Sequence, residues 1–143
     1  MQSELPRIEA CYSPRDFHQY QEGFELIVVI DVLRATSAIC VAIENGVKGI
    51  IPVETVDEAR EYLDKGYIAA AEREGEIVEG FPMGNSPISY LDPELKGETI
   101  VLTTTNGTKA IKMAEKKETV VIGALNNLDA ITEWLIRQER NTL

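Results

Sequence analysis

The amino-acid sequence predicts a three-layer α/β fold, a mostly parallel sheet with helices on both faces. Short runs of β-branched residues alternate along the chain with segments whose apolar residues recur at helical spacing. The clearest run, LIVVI at 26–30, is continuously apolar, as a strand covered on both faces requires. The segments between successive strands hold helices of about three turns, which implies right-handed βαβ crossovers and parallel pairing. No linker or low-complexity stretch divides residues 1–143, so one domain is expected.

In order, residues 8–12 read as a short first strand, followed by a polar, turn-prone segment at 13–23. The strand 26–30 ends at Asp31. A helix follows from about Ala35 to Glu44, with Ile39, Ala42 and Ile43 on its apolar face and Asn45-Gly46 as its stop. Residues 49–53 form a strand whose Pro52 suggests an edge or an early end. Thr55 caps a helix at 56–64, and Lys65-Gly66 stops it. A strand at 67–71 precedes a long stretch, 72–93, rich in Gly and Pro and read as loop. The remainder is a strand at 98–103, a helix at 108–116, a strand at 119–123 and an amphipathic helix at 128–137 that carries Trp134.

A formal charge of −10 makes nucleic acid and anionic membrane surfaces poor partners. An acidic chain can bind an anion only where the site is locally positive, through a metal, arginines or helix N-termini. The longest apolar stretch is too short to span a bilayer, and the first ten residues lack the apolar segment of a secretory signal, so a cytoplasmic location is expected. Cys11 and Cys40 are too few for a disulfide framework and lack metal-ligand spacing, so both read as reduced, structural thiols.

In open α/β sheets ligands bind beyond the carboxyl ends of the strands, so the residues after each strand carry the functional reading. Four junctions are dense in polar groups. At the first, a carboxylate at Asp31 can hold a hard cation such as Mg²⁺, and Arg34 can grip phosphate or sulfonate oxygens as a fork. Thr36, Ser37 and the first helix N–H groups complete an anion cradle. The competing reading is that Asp31 and Thr36 only cap the helix. At the second junction, Glu72 is a candidate second metal ligand or general base and Arg73 an anion grip, although surface charge after a strand is commonplace. At the third, Asn85 and Ser86 lie in a tight polar turn that offers donors. The fourth, Thr103 to Thr108, sets Thr104, Thr105, Asn106, Gly107 and Thr108 at a strand–helix junction, where glycine permits close backbone approach to a small oxyanion; a cap and a turn would use the same residues.

Several phosphate-handling chemistries are excluded. The chain has no GxxxxGK[ST] loop and no GxGxxG fingerprint. Asp31 is followed by Val32 and Leu33, so the two-aspartate signature of haloacid-dehalogenase-type phosphatases is missing, and Cys11 and Arg15 are too close for a cysteine-phosphatase loop. His18, the single histidine, lies in the turn-prone segment beside Tyr20 and reads as a surface residue.

Taken together, VVIDVLRATS (28–37), AERE (71–74), GNSP (84–87) and TTTNGT (103–108) resemble the 2-phosphosulfolactate phosphatase family in order and spacing, as does the intervening GIIPVETVDEA. The resemblance covers essentially the whole chain and the N-terminal part of the family pattern. It implies Mg²⁺-dependent hydrolysis of a phosphate monoester on a sulfonated hydroxy acid, a step toward coenzyme M in methanogens. It implies a small anionic phosphate ester as substrate, with Asp31, Arg34 and Glu72 catalytic, Asp31 and Glu72 holding the metal, and the remaining motif residues binding substrate. Family members are usually longer, and their second half brings a cysteine- and glycine-containing strand end and a further acidic segment. A domain of half the family size leaves an apolar face able to associate, so a homo-oligomer is a possible state. The rival readings are a binding module that holds an anionic metabolite without hydrolysing it and a remnant whose polar turns merely cap helices.

Overall fold

The computed structural model describes residues 6–20 and 22–143. Its strands are β1 (Leu26–Ile30), β2 (Gly49–Pro52), β3 (Ile68–Arg73), β4 (Glu76–Ile77), β5 (Thr99–Thr103) and β6 (Thr119–Gly123). Its α-helices are α1 (Ala35–Glu44), α2 (Val56–Asp64), α3 (Gly107–Ala114) and α4 (Leu128–Gln138), and 3-10 segments lie at Pro14–Tyr20, Pro87–Leu91, Pro93–Leu95 and Leu125–Asn127. The fold is α/β, mostly parallel, with helices on both faces. Its strands form two hydrogen-bonded groups, a four-stranded sheet in the order β2-β5-β3-β4 and a parallel pair β1-β6. Pro52 lies on an edge strand, as a residue without an N–H requires in a sheet.

The layers follow from the two-residue period of the strands. Ala70 of β3 and Ile100 and Leu102 of β5 point to a core with Ala38, Ile39 and Ala42 of α1 and the buried Tyr90. Their sequence neighbours, Ala69, Ala71 and Val101, point the other way and pack with Ala59 of α2. Three consecutive alanines in β3 let both layers sit close to the sheet. A third cluster joins Ile27 and Val29 of β1 to Ala114 of α3, Phe24 and Leu143.

Local signals set most boundaries. The Thr55 hydroxyl accepts from the Glu58 N–H at 3.1 Å while Glu58 Oε2 accepts from the Thr55 N–H at 3.0 Å, a reciprocal cap at the start of α2. Gly46, with φ of +93°, ends α1 in the left-handed conformation that favours glycine.

Two expectations are corrected. Residues 8–12 form no strand: Ile8 makes one isolated bridge to Thr142, and the segment has no longer partner to pair with. The stretch 72–93 is not a loop throughout. β3 continues through Glu72 and Arg73, the turn at Glu74 (φ 55°) and Gly75 (φ 85°) reverses the chain into β4, and Pro87–Leu91 forms a 3-10 helix. Positive φ at both turn residues matches the twist of a tight hairpin, but Glu-Gly lacks the usual Asn-Gly or Asp-Gly signature.

Tyr90 anchors that 3-10 helix. Its side chain is fully buried and its hydroxyl donates to the Gly84 carbonyl at 2.8 Å. Burial pushes the phenol far above its ordinary value, so it stays protonated. Tyr90→Phe leaves the Gly84 carbonyl without that donor and is expected to cost about 1–3 kcal/mol, read as a lower urea midpoint at unchanged slope.

Candidate functional site

The turn after β1 folds back on itself through its polar groups. Thr36 Oγ1 accepts from the Asp31 N–H at 2.9 Å, the Thr36 N–H donates to the Asp31 carbonyl at 3.0 Å, and the Ser37 hydroxyl donates to the Val32 carbonyl at 2.7 Å. The backbone N–H groups of Ala35, in the first turn of α1, and of Gly107, in the first turn of α3, lie beside the Asp31 carboxylate and favour its ionised form. Two helix N-termini therefore meet on one strand-end carboxylate.

Gly107 makes that meeting possible. A Cβ there would overlap the Ala35 Cβ and lie 2.8 Å from Asp31 Oδ2. The glycine is needed for close approach of two helices at the carboxylate rather than for an unusual φ.

TTTNGT is held in the same inward-bonded way. The Thr104 N–H donates to Thr108 Oγ1 at 3.0 Å and the Thr108 N–H to Thr104 Oγ1 at 3.1 Å, both side chains being buried. Thr103 Oγ1 accepts from Arg73 Nη2 at 2.9 Å. Arg73 also donates to the carbonyls of Glu72, at 2.6 Å, and Glu54, at 3.2 Å, which ties the ends of β2, β3 and β5 together.

Glu72 lies at the centre, 5% exposed. Its Oε1 accepts from the Gly75 N–H at 2.6 Å and the Thr105 hydroxyl at 3.0 Å; its Oε2 accepts from the Thr105 N–H at 3.1 Å and Asn85 Nδ2 at 3.2 Å. Burial pushes its pKa up, but the Gly75 and Thr105 bonds and the nearby Arg73 charge outweigh burial and hold it below 4.5. Asp31 shows the opposite balance: burial, joined by the Glu72 charge, raises it despite the Ala35 and Gly107 amides. The two carboxylates are thus close enough to sense each other.

Of the residues predicted from sequence, the structure brings Asp31, Glu72, Asn85, Thr105 and Gly107 into one connected group. Arg34 joins it by donating from Nη2 to the Gly75 carbonyl at 2.9 Å. The hydroxyls of Thr36, Ser37, Thr104 and Thr108, expected to face an anion, are spent on backbone groups, because a short hydroxyl beside a turn finds local partners first. The Ser86 and Asn106 side chains have no hydrogen bond among the described residues. Gly75 was missed in the sequence; its signal was the hairpin turn after an apolar strand.

Among the described residues no group of three or more His, Cys, Asp or Glu side chains is placed to hold a metal. Mg²⁺ needs no such cage, since it is commonly held by one or two carboxylates, waters and substrate phosphates. Asp31 suits that role: its carboxylate sits at a strand end with no side-chain donor among the described residues. Asn85 Oδ1 is a buried oxygen without a hydrogen-bond partner. The Glu72 contact fixes the Asn85 amide orientation, because a flipped amide would set oxygen against oxygen.

A family model described as 2-phosphosulpholactate phosphatase matches residues 11–143. The chain belongs to this family. Its relatives include a "Probable 2-phosphosulfolactate phosphatase" of Caldanaerobacter subterraneus, 43% identical over 122 residues, or 82% of this chain and 50% of the relative. Proteins of the same name from Thermotoga maritima and Clostridium acetobutylicum are 46% and 41% identical, over 78% and 91% of this chain and 49% and 57% of theirs. The chain thus spans about half the length of the curated relatives it matches. No helix among the described residues is long and apolar enough to cross a membrane.

Gly107→Ala is expected to force α1 and α3 apart and to cost about 1–3 kcal/mol in urea denaturation. Ala35→Gly in the same chain removes the overlapping Cβ and recovers part of the loss; a double variant no more stable than Gly107→Ala alone would refute the close-approach explanation. The pH dependence has a definite sign as well. Because Glu72 is held below 4.5, its stabilisation is fully present above that pH and is lost as the pH falls through its lowered value. Acid unfolding of Glu72→Gln should therefore show a shallower loss below pH 4.5.

Proposed function

We propose that the chain hydrolyses, with Mg²⁺, the phosphate monoester of 2-phosphosulfolactate or a related small anionic hydroxy acid, releasing inorganic phosphate and the hydroxy acid. One observation carries this reading: the N-termini of α1 and α3 meet on the strand-end carboxylate of Asp31, within a motif that also holds Arg34. That arrangement supplies a local positive field inside an acidic chain.

In this reading Asp31 is the carboxylate that holds Mg²⁺; the same carboxylate also suits a nucleophile or base. Mg²⁺, when bound, supplies charge neutralisation for the transferring phosphoryl group, whose transition state spreads negative charge over its outer oxygens. Arg34 grips phosphate or sulfonate oxygens with the guanidinium donors left after its bond to Gly75. Ser86 and Asn106, whose side chains are unpaired, offer polar groups at the same strand ends. Thr36, Ser37, Arg73, Thr104 and Thr108 fix the backbone that presents these groups. A cytoplasmic location and a homo-oligomeric state belong to the same proposal.

The half-length match favours a second reading, in which the chain binds an anionic metabolite and turnover needs the remainder present in its longer relatives. Hydrolysis of p-nitrophenyl phosphate with Mg²⁺ separates the two. The phosphatase reading expects Asp31→Ala to lower the rate by about 100-fold or more and Thr36→Ala to lower it far less. Saturable phosphate binding with no turnover above the Asp31→Ala control selects the binding reading; neither binding nor turnover sinks both.

A further inference from the structure

We infer that Glu72 is a positioning residue: its carboxylate sets the direction of the Arg34 guanidinium through Gly75, and serves neither as metal ligand nor as proton carrier. The inference rests on the proposed role of Arg34 as the anion grip. A carboxylate has about four lone-pair directions, and Glu72 has four protein donors. Coordinating a cation or taking a proton would require breaking bonds that nothing nearby replaces. The bonds instead lead outward to the site. Gly75 gives its N–H to Glu72 and its carbonyl to Arg34, so one residue transmits position from the buried carboxylate to the guanidinium.

The hairpin turn is fixed at a second point, where the Glu74 N–H donates to Thr105 Oγ1 at 3.3 Å, and the Thr105 hydroxyl is itself bonded to Glu72. Glu74 and Gly75 both hold positive φ, so the turn has one backbone geometry to present. With one Nη held by the Gly75 carbonyl, the planar fork of Arg34 has its remaining donors directed. Glutamine at 72 would set an NH₂ group against the Gly75 N–H and the Thr105 hydroxyl, or against Asn85 and the Thr105 N–H; either orientation disturbs Thr105 or Gly75, the two points that hold the turn. The consequence is a guanidinium free to rotate, hence weaker anion binding with metal affinity intact.

The test is a double-mutant cycle on the full chain, with inorganic phosphate as calorimetric probe and Mn²⁺ followed by electron paramagnetic resonance. Glu72→Gln and Arg34→Lys should each weaken phosphate binding by about tenfold. The double variant should be no more than about threefold weaker than Arg34→Lys alone, because both changes remove the same directed fork. Mn²⁺ affinity should stay within about threefold of the unsubstituted chain in Glu72→Gln, and exchange of the Gly75 amide proton should accelerate. Multiplicative phosphate effects, or a large fall in Mn²⁺ affinity with the Gly75 amide still protected, would overturn the inference. If Glu72→Gln does not fold, Thr105→Val removes one bond from the carboxylate and one from the turn and enters the same cycle. If the unsubstituted chain neither binds phosphate nor hydrolyses p-nitrophenyl phosphate, the proposed function fails by itself. The linkage is then decided by the exchange rate of the Arg34 Nη–H protons, which rises in Thr105→Val if Gly75 is transmitting position and is unchanged if it is not.

Discussion

A negative charge buried at the end of β3 is the constraint around which the strand-end loops are arranged. Glu72 is nearly inaccessible to water, so its charge must be stabilised by protein dipoles. The donors come from three separate places: the hairpin turn at Gly75, the junction at Thr105 and the turn at Asn85. Each loop would have many conformations alone, and each loses that freedom by serving the same two oxygens. Hydrogen bonds to charged groups are worth about 1.5–3 kcal/mol each, so several together offset burial, in agreement with the lowered Glu72 pKa.

The second carboxylate shows what the first leaves available. Asp31 follows β1, in the other hydrogen-bonded group of strands, and its carboxylate faces the first turns of two helices. The Glu72 charge opposes its ionisation, and acceptor directions remain open on it. One acid is satisfied by the fold; the other is raised in energy and keeps coordination capacity. That asymmetry is what an acidic chain needs if it is to attract a cation and then an anion to one place.

Much of the fold was legible in the sequence because its signals are local. The Thr55–Glu58 cap, the Asn45-Gly46 stop and the apolar run of β1 each declare an element within a few residues. The division of the strands into β2-β5-β3-β4 and β1-β6 depends on which edges meet in space, and no local pattern encodes that. At the site, the motifs identified the right loops but not the employment of their side chains. TTTNGT reads as a row of hydroxyls free to face an oxyanion, yet Thr104 and Thr108 close on each other's backbone and Thr105 serves Glu72. A threonine announces that a hydrogen bond will be made but not with what: Thr104 and Thr108 find each other four positions apart, whereas Thr105 finds Glu72 33 positions away.

The same reasoning explains why so polar a set of junctions leaves few free groups. Bringing two helix N-termini and a hairpin turn together buries backbone N–H groups that must all find acceptors. The hydroxyls of Thr36, Thr104 and Thr108 and the two carboxylates supply them at short range. What remains unpaired is therefore informative by subtraction: the outer directions of Asp31, the rest of the Arg34 fork, and the side chains of Ser86 and Asn106. Asn85 Oδ1 is the exception, an acceptor buried without a partner while its amide nitrogen is fixed on Glu72. An orphaned oxygen of this kind costs about 1–3 kcal/mol, and its position against Glu72 accounts for the cost, since the NH₂ group must point to the carboxylate for the charge to be satisfied.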